Sequence, residues 1–149
     1  MERADTTTLD WVETGDGSFT ARSGECGELY HSSAGAWSEC HEVYVRPFLD
    51  EIGARSPVPT RWVVLEIGLG IGLNWLALAS AAARRGASLE IVSLEKDARV
   101  LAEPLPPRVI AALRRTTAPL GSENPTDEAP PLAEGLVESL ETLKRDRSL

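Results

Sequence analysis

Residues 62–67, WVVLEI, form a short run that is apolar except for Glu66, and residues 68–72, GLGIG, follow with three glycines. Residues 73–85, LNWLALASAAARR, carry an apolar helical pattern that stops before Gly86, and residues 89–94, LEIVSL, form a second apolar run. Short runs rich in Val, Ile and Leu predict strands buried on both faces, as in a parallel sheet. A glycine beyond the last helical residue is a helix stop signal. Strand, tight turn, helix and strand make a βαβ unit, and its crossover is expected to be right-handed. The expected fold class is therefore α/β with a Rossmann-like core. No strand pattern follows Leu94, so the sheet is expected to be incomplete.

The glycines indicate what the turn receives. Gly68, Gly70 and Gly72 alternate with Leu69 and Ile71. Glycine adopts positive φ and lets a ligand approach the backbone without meeting a Cβ atom. Open α/β sheets bind ligands at the carboxyl ends of their strands, where this turn lies. A dinucleotide fingerprint needs G-x-G-x-x-G, whereas the third glycine here comes one residue early and the next position is Leu73. Glu66, at the end of the first strand, suits an ammonium better than a pyrophosphate. Glu95, after the second strand, can accept both hydrogen bonds of a ribose diol. An ammonium and a ribose without a phosphate describe S-adenosylmethionine. The same spacing disfavours a nucleotide-dependent oxidoreductase.

The N-terminal part prepares this unit. TGDGSFTARS carries an Asp16-Gly17 turn signal before alternating Phe19 and Ala21, which predicts a hairpin. GELYHSSAG reads as another short extended piece. Trp37, Cys40, Tyr44, Phe48 and Ile52 then recur at helical spacing, with Ser33 as expected N-cap and Pro47 expected to kink or divide the helix. Trp37, Tyr44 and Trp75 read as core residues. Beyond Asp97, ARVLAEPLPP predicts a helical turn ended by Pro104, and RVIAALRR a short helix. The expected organisation is an N-terminal hairpin and helix over 1–60, a cofactor-binding βαβ core over 61–115, a flexible linker over 116–131 and a C-terminal helix over 132–149. Leu132, Leu136, Leu140 and Leu143 mark that last helix.

Composition narrows the function classes. A formal net charge of −8 argues against an extended basic face for nucleic acid. The pairs Arg84-Arg85 and Arg114-Arg115, with Arg108, read as solvated helix ends. The N-terminus lacks a secretory pattern, and the longest apolar run, residues 71–83, is broken by Gly72, Asn74 and Ser80. A cytoplasmic chain with no membrane association and two reduced cysteines is expected. Cys26, His31, Cys40 and His41 lack the spacing of a metal set, so no metal is expected.

DGSFTARSGECGELYHSSAGAWSECHEVYV, followed by VLEIGLGIGLNWLAL and SLEKD, resembles the methyltransferase domain of the tRNA 5-methylaminomethyl-2-thiouridine biosynthesis proteins over about residues 10–115. The resemblance implies a class I S-adenosylmethionine-dependent methyltransferase acting on an aminomethyl group of a wobble uridine, with tRNA as partner. It implies that Glu66, Gly68, Gly70, Gly72 and Asn74 line the methionine side of the cofactor, with Glu95 on its ribose. Tyr30, His31 and Glu39 are implied to lie near the same pocket. The downstream D-x-F-x-P-x-x-NP-x-x-W-like element of that family has no counterpart here, and no catalytic base is assigned. The chain reads as the cofactor-binding half, of low or no activity alone. The alternative is a non-catalytic cofactor-binding or interaction module whose sheet edge is covered by a partner or by self-association.

Overall fold

The computed structural model describes residues 9–116 together with residues 135, 137–140 and 142. The linker expected over 116–131 lies outside the described residues except at Thr116, and so do Leu132, Leu136 and Leu143 of the expected C-terminal helix.

Strands β1 (Asp10–Glu13) and β2 (Phe19–Arg22) pair antiparallel, from Asp10 opposite Arg22 to Glu13 opposite Phe19. The Asp16-Gly17 turn joins them, as its sequence predicts. GELYHSSAG is not a strand: it contributes one bridge, Leu29 to Arg22, and otherwise turns.

Helix α1 (Ala36–Glu39) begins three residues after the expected cap, Ser33. Its first amides are capped instead by the distant hairpin loop. Ala36 N–H donates to Thr14 Oγ1 at 3.2 Å, Trp37 N–H to Ser18 Oγ at 3.0 Å and Ser38 N–H to Asp16 Oδ2 at 2.9 Å. Orphan amides of a helix start require acceptors, and supplying them from a hairpin ties the two elements together.

A π-helical stretch, Cys40–Val45, leads into α2 (Arg46–Gly53), where Pro47 occupies the first turn. Proline lacks an N–H and is tolerated there, so the helix is divided as expected. The wider π turn carries a consequence absent from a pure 3.6-residue pattern. It moves the inward face by one residue, burying Val45 and leaving Tyr44 51% exposed. Tyr44 is therefore not the core residue its spacing predicts.

Strands β3 (Arg61–Ile67) and β4 (Ser88–Leu94) pair in parallel from Arg61 opposite Ser88 to Ile67 opposite Leu94. Helix α3 (Leu73–Arg84) crosses between them and stops before Gly86, at φ 64°. The βαβ unit thus stands as predicted, in a sheet of two strands among the described residues. Burial on both faces is not observed. Val63, Leu65, Ile67, Val92 and Leu94 are exposed, because one face of this sheet carries no covering element among the described residues.

Helices α4 (Ala98–Ala102) and α5 (Pro107–Thr116) follow, and Asp97 caps the first through Arg99 N–H at 3.0 Å. The main core joins Phe19, Cys40, Ile71, Leu76 and Leu113 with Val137 and Leu140. Burying side chains such as Ile71, Leu76 and Leu113 contributes about 1.5–3 kcal/mol each. A second, smaller cluster gathers Ile52, Trp62 and Ala82, with Phe48 edge-on to Trp62.

Candidate functional site

Between β3 and α3 the chain turns through three residues of positive φ: Gly68 at 83°, Gly70 at 54° and Gly72 at 87°. Gly70 lies under an aromatic ring, since a Cβ atom added there would sit 3.3 Å from Tyr30 Cδ1. Gly70 N–H donates to Glu95 Oε2 at 2.7 Å, and Asp97 N–H donates to Glu95 Oε1 at 2.8 Å. The acid after β4 therefore anchors the turn after β3. Tyr30, Gly68, Gly70, Ser93, Glu95 and Lys96 line an open cleft of about 740 Å³ at the carboxyl ends of both strands.

A second cavity of about 310 Å³ adjoins it, and Ile67 lines both. Its wall includes Glu66, Asn74, Trp75, Phe48 and Tyr44. Glu66 accepts a hydrogen bond from Ser93 Oγ, which links the two cavities. Burial pushes the Glu66 carboxyl above its ordinary value, the Ser93 bond opposes that shift, and nearby Glu95 adds to it. Asn74 Oδ1 is buried and accepts no hydrogen bond among the described residues. A buried acceptor without a donor is costly, about 1–3 kcal/mol. Glu66 and Asn74 thus offer a cation or donor two acceptors on an otherwise apolar wall.

Gly72 faces elsewhere. It caps α3, and a Cβ there would come 2.5 Å from Leu140 Cδ1. Its positive φ and missing side chain serve the packing of Leu140 rather than either cavity. Glu39 lines neither cavity. It accepts from Ser32 N–H at 2.8 Å and lies 3.2 Å from His31 Nδ1. Burial lowers the His31 pKa below its ordinary value, although Glu39 pulls the other way. Near neutral pH the contact is therefore a hydrogen bond to neutral imidazole rather than an ion pair. Cys40 Sγ lies 3.8 Å from the same Nδ1, but burial pushes the thiol up to about 12, which removes it as a nucleophile.

The structure gathers Tyr30, Gly68, Gly70 and Glu95 around one cleft, and Glu66 with Asn74 around its neighbour. Glu39 and Gly72 stand behind them as support. Ser93 and Lys96 were not singled out from the sequence. Ser93 could have been found from strand register, since in a parallel pair it falls opposite Glu66. Among the described residues no three His, Cys, Asp or Glu side chains converge as a metal set, and no helix is long and apolar enough to cross a membrane.

No family model matches the chain. Over 75 residues it is 39% identical to the tRNA 5-methylaminomethyl-2-thiouridine biosynthesis bifunctional protein MnmC of Methylibium petroleiphilum, covering 48% of this chain and 11% of that protein. It is 32% identical over 74 residues to the protein of the same name from Polaromonas naphthalenivorans, covering 49% and 11%. The chain thus spans about a tenth of the length of these relatives. The crystal structure of MNMC2 from Aquifex aeolicus superimposes with a TM-score of 0.53 at 29% identity, over 63% of this chain and 31% of that one.

Proposed function

From the premise that this chain carries an MnmC-like domain, we propose that it binds S-adenosylmethionine as a Rossmann-like class I methyltransferase core. The observation that carries the reading is the bond from Gly70 N–H to Glu95 at 2.7 Å, which sets a carboxylate beside a glycine turn at the mouth of a parallel βαβ unit. Glu95 would hold the ribose diol, and the backbone of Gly68 and Gly70 would meet the body of the cofactor. The residues present fit such a ligand on two grounds. A side chain at Gly70 would crowd Tyr30, so the turn stays open only as glycine. Asn74 Oδ1, buried without a donor, and the Glu66 carboxyl match the ammonium of the methionine portion.

When bound, this cofactor supplies an electrophilic methyl group on sulfur. The chain's own residues bind and orient. Glu95 fixes the turn, Tyr30 shields Gly70, and burial around Glu66 strengthens its attraction for a positive charge. The substrate in this reading is an aminomethyl group on a wobble uridine of tRNA, and the setting is the cytoplasm. In this reading the hairpin and helix over 1–60 precede a cofactor-binding βαβ core over 61–115. A thermal-shift panel tests the ligand class: S-adenosylmethionine and S-adenosylhomocysteine are expected to raise the melting temperature, and NAD to leave it unchanged. A shift with NAD alone would reverse the assignment.

A further inference from the structure

The helix-covered face of the parallel sheet carries three cross-strand pairs: Trp62 with Leu89, Val64 with Ile91 and Glu66 with Ser93. Residues two apart share a face, so the pairs follow one another toward the carboxyl ends of the strands. Two are apolar and the last is polar. A carboxylate on a face that packs against helices loses hydration and needs partners in return. Among the described residues Glu66 has one, since Ser93 Oγ donates to Glu66 Oε2. Glu66 Oε1 has none there.

That oxygen has company. Glu66 and Asn74 line the same cavity, whose remaining lining residues are apolar or aromatic. Asn74 Oδ1 is buried there and accepts no hydrogen bond among the described residues. Ser93, by contrast, lines the open cleft. Its hydroxyl therefore reaches from the cleft to the carboxylate of the neighbouring cavity. Two acceptors without donors, Glu66 Oε1 and Asn74 Oδ1, suit a positively charged group with several N–H donors.

We propose that Ser93 is the positioning residue of an ammonium site: by holding Glu66 Oε2 it leaves Glu66 Oε1, with Asn74 Oδ1, to the primary ammonium of the ligand. This rests on the S-adenosylmethionine reading above and adds the residue that selects for the amino-acid end of such a ligand. A hydrogen bond donated to a carboxylate favours its ionised form, so Ser93 also keeps Glu66 charged. Burial and the Glu95 charge both act the other way. Cys40, on the π-helical stretch, senses the Glu66 charge, but burial pushes its own thiol up to about 12 and it stays neutral. Tyr44 lines the cavity from the same stretch, and Lys96 lines the cleft beyond Glu95. Helices α2 and α3 line the cavity with Phe48, Asn74, Trp75 and Leu78, none of which titrates.

Calorimetry across the acid-to-neutral range tests this with two ligands, S-adenosylhomocysteine and 5′-methylthioadenosine. The second keeps the nucleoside and the sulfur but lacks the ammonium. Ser93→Ala is expected to weaken S-adenosylhomocysteine roughly tenfold, to raise the pH at which its affinity falls, and to leave 5′-methylthioadenosine unchanged. Ser93→Thr keeps the hydroxyl and is expected to restore both affinity and pH profile. Carboxyl-carbon NMR of the ligand-free protein gives a second readout, in which Glu66 is expected to titrate at higher pH in Ser93→Ala than in wild type. Equal weakening of the two ligands, an unmoved pH profile, an unmoved Glu66 titration or no rescue by threonine would overturn the proposal. Equal S-adenosylhomocysteine affinity in wild type and Ser93→Ala would do so while leaving the cofactor reading intact, whereas no binding by the wild type would overturn both.

Discussion

Glu95 holds Gly70 by a 2.7 Å hydrogen bond, and its other oxygen holds the amide of Asp97 at 2.8 Å. One carboxylate thereby joins the glycine turn of β3 to the start of α4, and a ligand diol reaching Glu95 enters a turn already in place. Glu95→Ala leaves two amides without their acceptor and is expected to cost about 1–3 kcal/mol. Glu95→Gln keeps one acceptor and should recover much of that stability. Chemical denaturation of the three proteins measures it, and equal stability of wild type and Glu95→Ala would show that the anchor is idle.

Glu66 separates binding from folding. Burial raises its pKa in the folded state, so it favours folding most below the unfolded value of 4.5, and that contribution is lost as pH rises through the raised folded pKa. Glu66→Gln is therefore expected to leave stability at neutral pH unchanged or slightly higher. A cationic ligand favours the ionised carboxylate, so wild-type affinity should fall as pH drops through the raised pKa, with proton release on binding. Loss of stability in Glu66→Gln, with ligand affinity intact, would contradict this division.

Gly72→Ala meets two obstacles, a φ of 87° and Leu140 Cδ1 at 2.5 Å from the new Cβ. The expected loss is about 1–3 kcal/mol. Leu140→Ala removes a fully buried side chain and is expected to lose about 2–5 kcal/mol. The double variant should lose less than the sum, because the smaller side chain makes room for the new methyl. Strict additivity in urea denaturation would mean that the two positions do not touch.

Asp16 gathers the N-terminal unit. It accepts from Ser18 N–H, Ser18 Oγ, Thr14 Oγ1, Ser38 N–H and Ser38 Oγ. Burial alone would raise its pKa, but these bonds together hold it well below the usual carboxylate range. Its contribution is present above 3.8 and is lost as pH falls through the lower folded value. Asp16→Ala is expected to destabilise by roughly 2 kcal/mol at neutral pH and to flatten the acid limb of the stability profile. A mutant profile parallel to wild type would count against this role.

Isolated, the chain is expected to methylate hypomodified tRNA little or not at all. Its net charge of −8 gives weak attraction for a polyanion. Methyl transfer also needs the acceptor held close and aligned, and Lys96 is the one basic side chain among the described residues that line the cleft. A radiolabelled methyl-transfer assay with an MnmC protein as control checks this. Comparable turnover would show that the chain supplies a substrate surface of its own.

The βαβ unit, its turn and its stop at Gly86 were legible because local patterns, strand runs and glycines, dictate them. Pro47 marked the helix division, but no residue pattern announced the π turn, which exchanges Val45 for Tyr44 inside the core. Ser33 has the residue type and position of a local cap, whereas Thr14, Asp16 and Ser18 reach the helix across about twenty residues. Tyr30, Gly70 and Glu95 could each be named in advance, but their convergence depends on tertiary packing. The bare face of β3 and β4 departs from the expected two-sided burial for a related reason. An apolar run states that burial is favourable and does not say which element provides it.

The most direct test is calorimetry with S-adenosylhomocysteine on wild type, Gly70→Val and Glu95→Gln. Saturable one-site heat is predicted for wild type, and none or much weaker heat for both variants while each remains folded. No heat from folded wild-type protein, or equal affinity in Gly70→Val, would contradict the assignment of the glycine turn and Glu95 as the cofactor site.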